Sequence, residues 1–307
     1  MDSFRGKVLV IRGGAIGDFV LTLPAIASLR QQFPAAHLEI LGYPHIAQLA
    51  LAAGMVNRVQ PIEAGALAGF FARGGRLAPE LMDYFSEFDV IVSYLYDPDG
   101  IFRANVGRCT GAEFIKGPHR ADEGAGVHAA RVYLQPLERL AIFDADPIPR
   151  LRQATPLSSL GPLALHPGSG SERKNWPETN WSELLQHLAR FTELDLLLVG
   201  GEAEGDRLKR LAATLPPART RVLQSRPLAE LAEGLAGCRA FIGHDSGISH
   251  LAAAVGLPGL VLWGETAVEI WRPPSEKVIV LHHPAGLARL PMAAVLEQVR
   301  RVLGKRY

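Results

Sequence analysis

Four short polar segments, each set directly after an apolar run, hold the side chains with which this chain can do chemistry. The last is the richest. Residues 238–242 form an apolar run broken only by Arg239, Gly243 ends the run, and His244, Asp245, Ser246 and Gly247 follow. Then Ile248, Leu251, Ala252 and Val255 repeat at helical spacing. A helix is predicted to begin there, capped by Asp245 or Ser246. The first amide N–H groups of a helix have no partner within it, and with the helix dipole they attract phosphate or pyrophosphate. The Ser246 hydroxyl and the His250 imidazole, one turn in, can add donors. Taken alone, the same residues also describe an ordinary capped helix.

The other three segments widen the choice. Arg12, Gly13, Gly14, Ala15, Ile16, Gly17 and Asp18 leave a strand and enter a helix. Asp18 can act as a general base toward a substrate hydroxyl, or simply cap the helix. Residues 166–177 combine flexible backbone at 168–171, the Ser169 hydroxyl, and the cations Arg173 and Lys174. Lys174 can neutralise a leaving phosphate; a solvated surface loop reads the same way. Residues 196–204 end a buried strand at two glycines and present Glu202 and Glu204, which can accept from ribose hydroxyls or stand as solvated acids. None of these segments has G-x-G-x-x-G or G-x-x-x-x-G-K-[ST] spacing, so neither a dinucleotide fingerprint nor a Walker loop is present. Asp97, Pro98, Asp99 and Gly100 suggest a turn more than a metal-binding D-x-D. No H-E-x-x-H spacing and no G-x-S-x-G elbow occurs. No metal is expected.

The elements that must hold these segments alternate regularly. Strands are predicted over residues 7–12, 37–41 and 88–93, with weaker ones near Val59 and Phe114; helical stretches include 46–53 and 79–85. Residues 144–162, with Pro147, Pro149, Pro156 and Pro162, read as a linker. The rhythm then restarts, with strands at 163–166, 194–199, 221–223, 240–242, 259–262 and 277–281 and a closing helix at 291–303. Strand–helix alternation predicts mostly parallel sheets wrapped by helices. The expectation is α/β, with two Rossmann-like domains, 1–155 and 156–307, and a ligand in a crevice at the carboxyl ends of the strands.

Bulk composition narrows the function classes. The 307 residues suffice for two domains, and 48% hydrophobic with 21% charged residues describes a globular chain with real cores. A net charge of +1 gives no global field for nucleic acid or an anionic membrane, so any basic site is local. Two cysteines, Cys109 and Cys238, fit a reducing cytosol. No signal peptide and no membrane-spanning run is read.

Taken in order, these pieces resemble glycosyltransferase family 9, the ADP-heptose:lipopolysaccharide heptosyltransferases. The resemblance rests on Ile11 and Arg12 through Gly17 and Asp18 with Leu23 and Pro24, on His166 to Ser169 with Lys174 to Pro177, on Val199 to Glu204, and on Gly243 to His250. It implies a GT-B fold, with the N-terminal half taking the acceptor and the C-terminal half the nucleotide sugar. It implies metal-independent, inverting transfer without a cofactor. Asp18 matches the family's general base, Lys174 its phosphate-binding lysine and Glu204 its nucleoside-binding glutamate. Asp245, Ser246, Gly247 and His250 match its pyrophosphate and sugar loop, and Ser169 lies in the loop that carries Lys174. The chain departs from the family at Gly14 and Ala15, where hydroxyl residues are common, and at residues 264–268, where Gly-Pro-Thr-Asp-Pro becomes Gly-Glu-Thr-Ala-Val. Both departures fall near where donor sugar and acceptor would meet.

The resemblance implies an acidic glycan or glycolipid acceptor, for which Arg73, Arg76 and Arg120 are candidates together with Arg103, Arg108 and Lys116. Leu67, Phe70 and Phe71 can touch a membrane-bound acceptor or mark a buried helix face. A cytoplasmic protein with peripheral contact to the inner membrane is expected. A nucleotide-sugar epimerase of the same architecture and a non-catalytic nucleotide-sugar-binding protein are the competing readings.

Overall fold

The computed structural model describes residues 4–151 and 161–304. The chain forms two compact units, Met1–Ile148 and Pro149–Tyr307. The boundary expected between residues 155 and 156, and much of the expected linker, lie outside the described residues.

The first unit runs β1 (Lys7–Arg12), α1 (Ile16–Gln32), β2 (His37–Gly42), α2 (Pro44–Ala52), β3 (Arg58–Pro61), α3 (Pro79–Ser86), β4 (Val90–Ser93), α4 (Ile101–Val106), β5 (Glu113–Lys116) and α5 (Ala129–Leu134). Its five strands are parallel, in the order β3-β2-β1-β4-β5. Strand β1 lies at the centre, Val8 beside Leu38 on one side and Val90 on the other. A central parallel strand is covered on both faces, which is why 8–12 are buried throughout. Leu9 and Ile11 join Leu67, Phe70, Phe85, Ile91 and Phe102 in one core; Val8 and Val10, offset by one, point to the opposite face. Helix α1 continues through Pro24 to Gln32.

The second unit runs β6 (Leu163–Leu165), α6 (Glu178–Phe191), β7 (Leu196–Gly200), α7 (Arg207–Ala212), β8 (Thr220–Gln224), α8 (Leu228–Ala236), β9 (Ala240–His244), α9 (Gly247–Ala254), β10 (Gly259–Trp263), α10 (Val268–Trp271), β11 (Val278–His282) and α11 (Met292–Leu303). Its six parallel strands lie in the order β11-β10-β9-β6-β7-β8. One apolar core joins Leu163, Leu165, Leu198 and Ile242 of the sheet to Trp181, Leu184 and Leu188 of α6 and to Val295, Val299 and Leu303 of α11.

Each sheet grows outward in both directions from its first strand. The chain order therefore reverses between β1 and β4 in one unit and between β6 and β9 in the other. In open α/β sheets the crevice at such a reversal, beyond the carboxyl ends of the strands, is where ligands bind. The loops after β1, β6 and β9, singled out by their residues, leave the sheets at these two places.

Candidate functional site

At the β6/β9 reversal two polar clusters form. In the first, Lys174 Nζ donates to Asp245 Oδ2 at 2.7 Å, and the Thr266 hydroxyl donates to the same oxygen at 2.6 Å. Asp245 is buried while the Lys174 side chain stays one-third exposed (33%). Gly264 packs against the lysine stem. In the second, Glu204 Oε2 accepts from the Gly201 amide at 2.5 Å, and its Oε1 lies 3.5 Å from His166 Nε2. His166 Nδ1 is in turn 3.3 Å from Ser246 Oγ. Burial alone would raise the Glu204 pKa, but His166 and the Gly201 amide outweigh it and hold the carboxyl down to about 2. A Cβ on residue 168 would come within 2.3 Å of Glu204 Oε1, so only glycine lets this loop cross the carboxylate so closely.

The capping expectation is corrected here, and the structure places the other loop residues. Helix α9 does begin after Ser246, yet neither predicted cap forms. The Asp245 carboxylate is occupied by Lys174 and Thr266, and the Ser246 hydroxyl turns to His166. Glu202 and Glu204 also part company: Glu202 is exposed and Glu204 is buried. Ser169 is buried, and its hydroxyl closes its own loop on the Ser171 carbonyl at 2.8 Å. His250 is buried within α9.

His244, expected in a polar turn, is the last residue of β9 and is fully buried. Its Nε2 accepts from the Trp176 amide at 2.9 Å and from the Trp181 indole at 3.1 Å. Its Nδ1 lies 3.1 Å from the Gly168 carbonyl. Two donors at Nε2 and a carbonyl at Nδ1 fix the neutral ring with its proton on Nδ1. Burial pushes its pKa down to about 3, against the Gly168 bond that favours the charged ring.

In the first unit, Asp18 sits in the first turn of α1, its side chain 30% exposed. Gly14 has φ of +98°, a backbone conformation open to glycine, and this turns the Ala15 amide onto Asp18 Oδ2 at 3.4 Å. The other carboxylate oxygen accepts from the Tyr133 hydroxyl at 3.3 Å and lies 3.8 Å from Arg12 Nη2. Arg12 is buried, donates to the His119 and Asp18 carbonyls, and stacks 4.5 Å from the Tyr133 ring centre. Burial raises the Tyr133 pKa despite the nearby arginine, so its hydroxyl keeps the proton it donates. The sequence alone points to Asp18 but not to these two supports. The available signal for Arg12 was a cation closing an apolar strand.

Arg73 and Arg76 are exposed, and Arg120 pairs with Glu123 at the surface. Leu67 and Phe70 are core residues, while Phe71 is 45% exposed. Asp97 caps α4, accepting from the Phe102 and Arg103 amides. Among the described residues no group of three or more His, Cys, Asp or Glu could hold a metal ion, and no helix is long and apolar enough to cross a membrane. Beside Thr266 opens a cavity of about 880 Å³ lined by residues 264–269 and 280–286 with Arg272; Glu265, Glu269, His282 and His283 supply its polar wall.

Comparison with known proteins shows what this architecture is similar to. Solved structures of the same fold include a glycosyl transferase of family 9 from Veillonella parvula (TM-score 0.78, 16% identity, covering 99% of this chain and 98% of that one). Another is the Escherichia coli ADP-heptose lipopolysaccharide heptosyltransferase II (TM-score 0.76, 20% identity, 97% and 98%). The fold is the GT-B type of glycosyltransferases. Residues 144–292 match the profile of glycosyltransferase family 9 (heptosyltransferase). Lipopolysaccharide heptosyltransferase 1 of Pseudomonas aeruginosa is 39% identical over 131 residues, covering 42% of this chain and 33% of that protein. The Salmonella typhimurium protein of the same name is 27% identical over 291 residues, covering 85% and 89%. Over these residues the chain is similar to proteins of glycosyltransferase family 9. It spans about a third of the Pseudomonas aeruginosa protein and 39% of its Escherichia coli K12 counterpart.

Proposed function

We propose that this chain is an inverting, metal-independent glycosyltransferase that moves a heptose or similar sugar from an ADP-sugar to a lipopolysaccharide core or related glycan acceptor. The observation that carries this reading is the pair of clusters at the β6/β9 reversal, a cation and a buried carboxylate flanking the start of α9. Glu204 is ionised and accepts from the ribose hydroxyls. The first amides of α9 and Lys174 hold the diphosphate. Lys174 spends one of three N–H donors on Asp245, which leaves two for phosphate. These fixed charges stabilise the departing diphosphate as the glycosidic C–O bond breaks, the task a metal performs elsewhere. Asp18 takes the proton of the acceptor hydroxyl as its oxygen attacks the anomeric carbon from the opposite face. The cavity beside Thr266 has room for a seven-carbon sugar, and its wall includes the departure at Glu265 to Val268. The relatives support the donor: one neighbouring structure is of an Escherichia coli heptosyltransferase with ADP-2-deoxy-2-fluoro heptose.

The test is transfer from ADP-heptose to a core-oligosaccharide acceptor in excess EDTA. Full activity with inversion at the anomeric carbon is expected. A strict need for a divalent cation would return Asp97 and Asp99 to consideration. Release of a re-isomerised sugar without transfer would point to an epimerase.

A further inference from the structure

His244 is not among the residues that the diphosphate, ribose or sugar would touch, yet both of its ring nitrogens are committed to buried polar contacts. The loop from Gly168 to Trp176 carries Ser169 and Lys174. Its two ends meet on one imidazole. The Gly168 carbonyl, at the start, accepts from Nδ1, and the Trp176 amide, at the end, donates to Nε2. The second donor at Nε2, the Trp181 indole, belongs to α6. That indole stands edge-on to the imidazole, at 86°, and to the Trp176 ring, at 78°. The Trp176 indole is pinned in turn to the Leu290 carbonyl at 3.1 Å. Between the ends the backbone closes on local bonds, Lys174 N to Ser171 O and Asn175 N to Glu172 O, and two side-chain pairs reach outward, Lys174 to Asp245 and Glu172 to Arg207 of α7.

We propose that His244 is a positioning residue that clamps both ends of the 168–176 loop and thereby sets Lys174 for the diphosphate. The consequence for the diphosphate rests on the nucleotide-sugar reading; the clamp itself does not. Only a neutral imidazole can do this, because a second proton at Nε2 would oppose two N–H donors. The titratable and charged groups around it are His166 after β6, Glu204 after β7 and Arg207 of α7; His166 and Arg207 disfavour a charged ring and the Glu204 carboxylate favours it. A phenylalanine would keep the ring against Trp181 and lose both ends of the loop. A glutamine keeps one acceptor and one donor.

The experiment reads hydrogen exchange at the Trp176 amide and ADP affinity by calorimetry in wild type, His244→Phe, His244→Gln, Lys174→Ala and His244→Phe with Lys174→Ala. The Phe variant is expected to lose Trp176 protection and at least tenfold in ADP affinity. Adding Lys174→Ala to it should cost little more, because the lysine is already out of place. The Gln variant should recover part of both. A folded Phe variant with an unprotected Trp176 amide and wild-type affinity overturns the proposal, as does a Trp176 amide that stays protected. If Phe does not fold, the Gln variant decides between the same outcomes, since protection and affinity must fall together. If wild type itself does not bind ADP, the nucleotide reading fails, and exchange at Trp176 still decides the clamp.

Discussion

Asp18 carries two jobs at one position. It accepts from Ala15 in the first turn of α1 and presents its other oxygen to Tyr133 beside Arg12. Asp18→Asn preserves the capping geometry but cannot take a proton. Turnover is expected to fall by about a hundred- to ten-thousand-fold, with melting temperature and ADP affinity unchanged. Near-normal turnover would leave only the capping role. If Lys174 binds the diphosphate as proposed, Lys174→Ala removes a charge-assisted bond, which costs about 1.5–3 kcal/mol. Calorimetry with ADP should therefore show a loss of roughly ten- to a hundred-fold, and equal affinity would remove Lys174 from the site. Asp18 was legible because a carboxylate follows glycines at a strand end. Tyr133 was not, because it reaches Asp18 across 115 residues and only the fold brings the two together.

The strand-to-helix loops were readable because buried parallel strands announce themselves as apolar runs that give way to short glycine-bearing polar segments. The edges were less readable. Strand β9 was expected to end at Ile242, since a histidine followed by an aspartate looks like a solvated turn. It continues to His244 because every polar atom of that ring has a partner inside. The same burial makes the element acid-sensitive. The folded His244 pKa, about 3, lies below the ordinary 6.5. The unfolded chain therefore binds a proton that the folded chain refuses, and stability is present above pH 6.5 and declines as pH falls toward 3. Glu204 acts in the same direction lower down, from its ordinary 4.5 toward about 2. Denaturant melts between about pH 7 and 4 should show a loss on the order of 3–4 kcal/mol. His244→Gln should be less stable at about pH 7 and flatter across that range; an unchanged slope would mean His244 is not the titrating group.

The two units each own a core, one built on β1 and β4 and the other on β6, β9, α6 and α11. Residues 149–307, expressed alone, should fold cooperatively and bind ADP within a few-fold of the whole chain, while transferring no sugar. Failure to bind would place part of the nucleotide site in the first unit. The sheet order bears also on how the chain is made. In both units the strand synthesised first ends up in the middle. Val8 must wait for Val90, and Leu163 for Ala240, before its second edge is paired. At typical elongation rates of about 5–20 residues per second, β1 emerges roughly 4–16 s ahead of β4. Through that interval the nascent chain carries an apolar strand, Val8 to Ile11, with one row of amides and carbonyls unsatisfied. Such an edge is a template for pairing with a neighbouring chain. Chains stalled between residues 42 and 90 would be the ones most prone to aggregate on the ribosome and the ones a chaperone would have to cover.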